Sequence, residues 1–307
     1  MSESLAFALV LTAAPDAGII GDTEIMSVRA SLAGETVLDE RWLGHGEAWE
    51  ALLARAEDAD AAPLIERVRE ALGGRPIDVN LVTGELATRR KRLLIADMDS
   101  TIIGQECIDE MGAVLGIKER IAAITERAMR GELDFEGALR ERMALLAGLA
   151  KSDLQGIFDE RITLTPGART LVQTMRANGA FTALVSGGFT FFTSRVAAAV
   201  GFDFNRANSL EVVSGRLTGR VAEPILGREA KLAALRELAA ERNLHPVLTL
   251  AVGDGANDLA MIGAAGLGVA FRAKPVVAAE ADAGITYGDL TALLYLQGYR
   301  RDEFVSA

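Results

Sequence analysis

The sequence predicts an α/β protein: a doubly wound parallel sheet with an inserted helical cap, preceded by a small α+β domain. Three observations predict this architecture. From residue 93 onward, short apolar strands alternate with helical patterns, which is typical of a parallel sheet built from βα units. Residues 104–165 show helical spacing only. Residues 1–82 mix strand and helix patterns and form a unit of their own.

The bulk composition is that of an ordinary globular protein. The chain has 307 residues, half of them hydrophobic, which is enough for two domains. A formal net charge of −11 argues against nucleic acid as a partner, because phosphate backbones need stripes of Lys and Arg. Cys107 is the only cysteine, so an intrachain disulfide is excluded. No apolar run reaches the length of a membrane span, and we expect a cytoplasmic enzyme with no membrane partner.

The first unit, residues 1–82, is expected to be a small α+β sandwich. Strands are predicted at 7–12, 25–33, 35–42 and 77–82, and helices at 49–56 and 62–72. Gly73 and Gly74 end the second helix. Residues 83–92 are interpreted as a linker, in which the run Arg89-Arg90-Lys91-Arg92 is expected to be solvated.

The second unit, residues 93–307, is expected to contain the parallel sheet. Its strands are predicted at 93–96, 180–185, 247–252, 267–271 and 285–287. The helices between them are predicted at 168–178, 191–200, 229–243 and 258–264. Two segments interrupt this alternation, the helical cap at 104–165 and a β-hairpin at 210–221.

The first strand of the sheet ends at two carboxylates. Asp97 and Asp99 are two residues apart, a spacing that points side chains to the same side if the strand continues that far. Catalytic groups of open α/β sheets gather at the carboxyl ends of the strands. Two acids there suit a divalent metal, a carboxylate nucleophile with an acid/base partner, or both. An Asp/Ser-rich turn is the ordinary structural alternative.

Three further places at the ends of strands or the start of a helix carry polar residues. Ser186 and the amide of Gly187 suit phosphate oxygens, and Lys231 can neutralise developing phosphoryl charge. Asp254 and Asp258 are better interpreted as a metal ligand and a supporting carboxylate than as part of a dinucleotide turn, and hard oxygen ligands favour magnesium. Taken singly, Ser186 and Gly187 are better explained by a plain turn, and a solvated helix lysine explains Lys231 equally well.

Taken together and in order, these motifs resemble those of the haloacid dehalogenase superfamily. The matching segments are Asp97-Met98-Asp99-Ser100-Thr101, Ser186-Gly187-Gly188, Lys231 and Gly253-Asp254-Gly255-Ala256-Asn257-Asp258. Within the superfamily, residues 106–110 and 139–143 resemble the cap of the phosphoserine phosphatase family. The resemblance implies magnesium-dependent hydrolysis of O-phospho-L-serine, the last step of serine biosynthesis, through an aspartyl-phosphate.

The resemblance also implies a separate role for each carboxylate. Asp97 would be the nucleophile, and Asp99 would protonate the leaving oxygen and then activate water. Mg²⁺ would be held by the carboxylates of Asp97 and Asp254 and by the main-chain carbonyl of Asp99. Asp258 would orient Lys231 or a water on the metal.

The resemblance assigns the binding residues as well. Phosphoryl oxygens would be held by Ser186, the Gly187 amide, Lys231 and Asn257. In the cap, Glu106 would bind the substrate ammonium and Arg142 its carboxylate, while Met129 and Phe135 would form an apolar floor. Without the resemblance, a helix-terminal acid, a surface salt bridge and ordinary core packing would explain these four cap residues.

The order of elements in residues 1–82 resembles the amino-acid-binding ACT module, with Asp16-Ala17-Gly18-Ile19 at its first turn. Pairing of two such units in a homodimer is a hypothesis. Two other functions stay open. One is an enzyme that transfers the phosphoryl group to another alcohol or takes a different phosphomonoester. The other is a regulatory protein that senses an amino acid and keeps the second domain as a scaffold.

Overall fold

A computed structural model describes residues 4–56, 58–130 and 132–306, without the side chains of Ser4 and Met129. In this part of the chain the strands form a four-stranded sheet, a six-stranded sheet and a two-stranded hairpin. None of the helices in the described ranges is both long and apolar enough to cross a membrane.

The N-terminal sheet is antiparallel, with strand order β2-β3-β1-β4. Its strands are β1 (Ser4–Thr12), β2 (Thr36–Gly44), β3 (Ala48–Ala56) and β4 (Asp78–Thr83). The helices are α1 (Asp22–Ser31) and α2 (Ala62–Ala71), which complete a βαββαβ order. The predicted α+β class is confirmed, and this order is consistent with an ACT-like domain.

Two element predictions in this unit are wrong. Residues 25–33, predicted as a strand, lie largely in α1, where Ile25 and Val28 are buried three residues apart on one helix face. Residues 49–56, predicted as a helix, form β3, which pairs with β1 on one side and β2 on the other. Alanine and leucine favour helix in isolation, but pairing on both sides overrides that preference.

The run of four basic residues at 89–92 is not solvated throughout, which corrects the sequence-based interpretation. Arg89 closes the short helix α3 (Leu86–Arg89), and both Arg89 and Lys91 are buried. The guanidinium of Arg89 lies 2.6 Å from the buried carboxylate of Glu50 and donates to the carbonyl of Leu296. This segment therefore packs between strand β3 and the second unit of the chain.

A second set of polar contacts joins the N-terminal sheet to the rest of the chain. The buried carboxylate of Asp78 accepts hydrogen bonds from the three successive backbone amides of residues 286–288. The shortest hydrogen bond from each amide measures between 2.8 and 3.1 Å. The side chain of Asn80 bonds both the amide and the carbonyl of Gly284. These contacts fix β4 against the last strand of the parallel sheet.

The second sheet is parallel throughout, in the order β12-β11-β10-β5-β6-β7. The strands of this part of the chain are β5 (Leu93–Ala96), β6 (Phe181–Phe189), β7 (Phe204–Asn208), the hairpin β8 (Leu210–Val213) and β9 (Arg216–Val221), then β10 (Thr249–Gly253), β11 (Leu267–Phe271) and β12 (Ala283–Ile285). The edge strand β7 was not predicted, because its half-buried residues form no apolar run. The last strand covers 283–285 rather than the predicted 285–287.

Helices fill the predicted cap and cover the sheet. The cap contains α4 (Cys107–Val114), α5 (Lys118–Met129), α6 (Phe135–Leu145) and α7 (Asp153–Arg161). The others are α8 (Ala168–Ala177), α9 (Thr190–Val200), α10 (Arg228–Glu241), α11 (Leu259–Ile262), α12 (Pro275–Glu280) and α13 (Ala292–Leu296).

Alternate residues of the central strand β5 face two different cores. Leu94 and Ala96 pack in the core that contains α8 and α9, whereas Leu93 and Ile95 pack in the core that contains α10. Helices therefore cover both faces, and the predicted doubly wound parallel sheet is confirmed.

Candidate active site

A cavity of about 330 Å³ opens where the carboxyl ends of β5, β6 and β10 face the cap. It brings together nine of the predicted site residues: Asp97, Asp99, Glu106, Phe135, Arg142, Ser186, Gly187, Asp254 and Asn257. Lys231 and Asp258 are buried behind Asp97 and do not line it. Met129 ends α5, and its side chain lies outside the described part of the structure.

A buried lysine joins two of the carboxylates. The Lys231 Nζ lies 2.6 Å from Asp97 Oδ1 and 2.5 Å from Asp258 Oδ1. Burial alone would lower the pKa of Lys231, but the charges of the two carboxylates outweigh it and raise the pKa. Burial, together with the charge of Asp258, raises the pKa of Asp97 well above its ordinary value, and Lys231 opposes that rise. The nucleophile candidate therefore depends on nearby positive charge to stay ionised.

The turn after β5 directs Asp99 toward the cap. Asp99 Oδ1 accepts a hydrogen bond of 2.9 Å from the amide of Cys107, in the first turn of α4, and Ser186 Oγ lies 3.3 Å from Asp99 Oδ2. Burial raises the pKa of Asp99, which the bond from Cys107 partly offsets. A carboxyl with a raised pKa retains a proton more easily, as a general acid requires. The anchoring amide of Cys107 was not predicted; its thiol is buried.

Two glycines at the end of β6 allow neighbouring side chains to approach the backbone closely. A Cβ added at Gly188 would lie 2.8 Å from Asp99 Oδ2 and 3.0 Å from Ser186 Oγ. A Cβ at Gly187 would lie 3.1 Å from the ring of Phe135 in the cap. The absence of side chains here leaves the backbone at Gly187 and Gly188 open to the cavity.

The acidic cluster is suited to a divalent metal. Asp97, Asp254 and Asp258 each offer a carboxylate oxygen within 4.8 Å of the others. Both oxygens of Asp258 already have partners, Lys231 and the amide of Gly255, so Asp97 and Asp254 are the better ligands. Burial and the charge of Asp258 raise the pKa of Asp254 to about 6. Three carboxylates against one ammonium leave negative charge that a cation bound by hard oxygens would balance.

The carboxylate of Asp99 is not part of this cluster. It is occupied by its contacts with Cys107 and Ser186. A ligand contributed by the main-chain carbonyl of Asp99 stays a prediction from the sequence.

Opposite charges face the cavity from the cap side. The Glu106 carboxylate accepts a 2.7 Å hydrogen bond from Ser100. Its side chain is exposed to the solvent of the cavity, but the protein atoms around the carboxyl group bury it from bulk water. This burial and the charge of Asp99 raise the pKa of Glu106 to about 7. Arg142 donates to the carbonyl of Ala138 at 3.2 Å. Burial lowers the pKa of Arg142, and the negative charge of Glu106 opposes this decrease. Among the described residues, no carboxylate lies within 4.0 Å of the Arg142 guanidinium, so it is available to an anionic ligand.

Three lining residues with charged or hydroxyl side chains were not among the predicted site residues: Asp109, Thr125 and Lys274. Asp109 lies three residues after Glu106 in α4, and helical spacing could have placed both on one face. Thr125 and Lys274 carry no local signal, because only the packing of the cap and the course of the chain after β11 bring them to the cavity.

The model of the haloacid dehalogenase-like hydrolase family matches residues 94–263. The chain belongs to this family. The hydrolase is 46% identical over 231 residues to a phosphoserine phosphatase of Streptomyces coelicolor, a match that covers 75% of this chain and 56% of that relative. The chain thus spans little more than half the length of this relative.

Two solved structures resemble this hydrolase over nearly its whole length. A haloacid dehalogenase family hydrolase from Salmonella enterica superposes with a TM-score of 0.82 at 33% identity, covering 95% of this chain and 98% of that one. A probable phosphoserine phosphatase from Vibrio cholerae superposes with a TM-score of 0.76 at 31% identity, covering 96% of this chain and 86% of that one. The likeness therefore includes the N-terminal unit.

Proposed function

We propose that this hydrolase converts O-phospho-L-serine to L-serine and phosphate with Mg²⁺, as the last step of serine synthesis. The observation that carries the proposal is the composition of one cavity. Its floor holds the carboxylates of Asp97 and Asp99, and its cap side holds Glu106 and Arg142. A phosphorylated amino acid presents the matching groups: a phosphoryl group, an ammonium and a carboxylate. The activity named for the Streptomyces relative supports the same substrate.

The first step transfers the phosphoryl group to Asp97. A carboxylate oxygen of Asp97 forms a bond to phosphorus while the bond from phosphorus to the serine oxygen breaks. Asp99 gives its proton to that leaving oxygen, a role favoured by its raised pKa. Lys231, 2.6 Å from Asp97, favours the ionised nucleophile.

The second step returns Asp97 to its starting form. Asp99, now ionised, takes a proton from water, and the water oxygen forms a bond to phosphorus while the bond from phosphorus to Asp97 breaks. Inorganic phosphate leaves, and Asp99 is protonated again for the next cycle. The same carboxyl serves as acid and base because it lies beside the reacting phosphorus in both steps.

Charge neutralisation and positioning complete the scheme. Mg²⁺ would be held by the carboxylates of Asp97 and Asp254 and the carbonyl of Asp99, and when bound it supplies positive charge that reduces repulsion between Asp97 and the phosphoryl dianion. Phosphoryl oxygens would be held by Ser186, the Gly187 amide, Lys231 and Asn257. Asp258 holds Lys231 in place.

Specificity would come from the cap. Glu106 would bind the substrate ammonium, and Arg142 would bind the carboxylate through two parallel hydrogen bonds. Phe135, whose ring packs over Gly187, and Met129 would form the apolar floor. A homodimer through the N-terminal unit and a cytoplasmic location stay predictions from the sequence.

Phosphate release from phosphoserine tests the proposal directly. We expect metal-dependent release that EDTA abolishes, and lower kcat/KM for threonine phosphate, a sugar phosphate and an aryl phosphate. The isosteric Asp97→Asn variant should be inactive on all of them. Release of phosphate from the other esters but not from phosphoserine would overturn the assignment of phosphoserine as the substrate. Transfer to an added alcohol instead of water would identify a phosphotransferase, and no release from any ester would favour a binding protein.

The cap assignment has its own test. Arg142→Ala should raise KM for phosphoserine about 10–100-fold and leave KM for an aryl phosphate, which has no carboxylate, within about twofold. Arg120→Ala is the matched control, because Arg120 is an exposed arginine of α5 that does not line the cavity. An equal rise in KM for both substrates would remove Arg142 from carboxylate recognition.

A further inference from the structure

A lysine outside the predicted motifs stands at the edge of the cavity. Lys274 follows β11 and directly precedes α12, and its exposed side chain lines the cavity. Its amide donates to the carbonyl of Asp254 at 3.3 Å, which ties its backbone to the turn that carries the metal-ligand candidate. Two residues earlier, the amide of Arg272 donates to Ile285 at 2.7 Å. The backbone that leads to Lys274 is therefore held by the turn after β10 and by the strand β12.

The cavity has an excess of negative charge. Among the described residues that line it, the acids are Asp97, Asp99, Glu106, Asp109 and Asp254, and the bases are Arg142 and Lys274. The proposed first step requires a protonated Asp99, so the four other acids and Arg142 leave three negative charges in excess. A divalent cation reduces this excess to one, and the charge of Lys274 balances the one that remains. Without Lys274, that charge would repel a phosphomonoester, which is close to a dianion at neutral pH.

The other cations near the cavity leave this excess charge unbalanced. Lys231, assigned above to a phosphoryl oxygen, is buried and forms ion pairs with Asp97 and Asp258, so together with Asp258 it adds no net positive charge. Arg142 lies in the cap, where it is suited to the carboxylate of the substrate. Lys274, by contrast, is joined through its backbone amide to Asp254 on the phosphoryl side, and its side chain lines the cavity.

We propose that Lys274 is a substrate-binding residue, whose exposed ammonium contacts the phosphoryl group as it enters the cavity and offsets repulsion by the surrounding carboxylates. The proposal rests on the proposed function and adds a residue that its four motifs do not contain. Lys274 takes no part in bond breaking, so its contribution lies in substrate capture rather than in turnover of the bound substrate.

Charge removal tests this role. Lys274→Met should lower kcat/KM for phosphoserine about three- to tenfold at low ionic strength through KM, with kcat within about twofold of the parent. The deficit should shrink at about 0.5 M salt, because exposed charges are then screened. Lys274→Arg should keep the parent value. Lys151→Met, which removes an exposed lysine that does not line the cavity, is the matched control for net charge.

Several outcomes would overturn the role. They are an unchanged kcat/KM in Lys274→Met, a loss confined to kcat, a loss of equal size in Lys274→Arg, or a deficit that excess Mg²⁺ repairs. The last would mean that Lys274 acts through the metal site.

Calorimetric binding of inorganic phosphate, with Mg²⁺ present, separates this role from the proposed function. Lys274→Met should bind phosphate about three- to tenfold more weakly than the parent. If the parent binds phosphate in this Lys274-dependent way but does not hydrolyse phosphoserine, the proposed function fails and the role of Lys274 stands. If phosphoserine is hydrolysed and phosphate binds equally to both proteins, the role of Lys274 fails alone.

Discussion

The ammonium of Lys231 lies 2.6 Å from the carboxylate of Asp97, and both side chains are buried. The same ammonium contacts Asp258, so one buried cation serves two buried anions. Removing the cation would leave both anions without a partner in a medium of low polarity, which is the costly way to break a buried ion pair. The arrangement that the proposed chemistry needs is thus also a determinant of stability.

Lys231→Met should lower the free energy of unfolding by about 3–5 kcal/mol at neutral pH and abolish phosphate release. Urea denaturation measures the first effect. The double variant Lys231→Met/Asp258→Asn is the control: removing one unpaired anion should restore part of the stability and none of the activity. A single variant as stable as the parent would show that these carboxylates find other partners.

The raised pKa of Glu106 predicts a pH-dependent preference for substrates with an ammonium group. With a pKa of about 7, Glu106 loses its charge as the pH falls through neutrality. The ratio of kcat/KM for phosphoserine to that for 3-phosphoglycerate, which carries a hydroxyl instead of the ammonium, should fall about tenfold from about pH 8 to about pH 6. Ionisation of the phosphoryl group largely cancels in this ratio.

Glu106→Gln supplies the control for the pH experiment. Its ratio should be low and independent of pH, because glutamine carries no charge at either pH. A parent ratio that does not change with pH, or a Gln variant that keeps the pH dependence of the parent, would contradict the ammonium-binding role.

The strands β5, β10 and β11 were predictable because each is buried along its whole length and forms an apolar run in the sequence. The strand β5 ends at Ala96, earlier than the two-residue spacing of Asp97 and Asp99 assumes, yet both side chains line the cavity. The two wrong element predictions in the N-terminal unit have a different cause. The strand β3 contains alanine, leucine and a buried Glu50, and only its two partner strands and Arg89 explain why it is extended.

In the cap, the helical periodicity of the sequence does not determine which side chains meet across the cavity. Helical spacing predicts that α4 and α6 have inner faces, but which groups meet across the cavity depends on how the helices pack. Glu106 and Arg142 were therefore assigned from family resemblance, and Thr125 was missed. Lys274 was missed for a related reason: in sequence it is an ordinary lysine before a proline, and only the position of β11 beside β10 brings it to the cavity.

Asp78 predicts how firmly the N-terminal sheet is attached. Its carboxylate accepts bonds from the three amides of residues 286–288, and charged acceptors make stronger bonds than neutral ones. Asp78→Ala should lower the free energy of unfolding by about 2–4 kcal/mol, measured by urea denaturation. Asp39→Ala, at an exposed aspartate of β2, should change it by less than about 0.5 kcal/mol. Equal stability of the two variants would remove Asp78 as an anchor.

Gly188 predicts a loss of activity from a single added methyl group. The new Cβ in Gly188→Ala would lie 2.8 Å from Asp99 Oδ2, closer than such atoms can approach, so the carboxyl must move. Displacement of a reacting group by a fraction of an ångström should lower kcat about 100-fold with little change in KM. Because Asp99 protonates the leaving oxygen, the loss should be smaller for an aryl phosphate, whose leaving group needs less protonation.

Gly156→Ala is the matched control for this substitution. Gly156 lies in α7 with no neighbouring atom within 4 Å of an added Cβ, so the change should raise stability by about 0.5–1 kcal/mol and leave kcat unchanged. Full activity in Gly188→Ala would show that Asp99 tolerates the methyl group. An equal loss for phosphoserine and the aryl phosphate would instead separate Asp99 from protonation of the leaving group. It would assign the defect to Ser186, whose hydroxyl also lies within 3.0 Å of the new Cβ, because a phosphoryl-binding defect affects both esters alike.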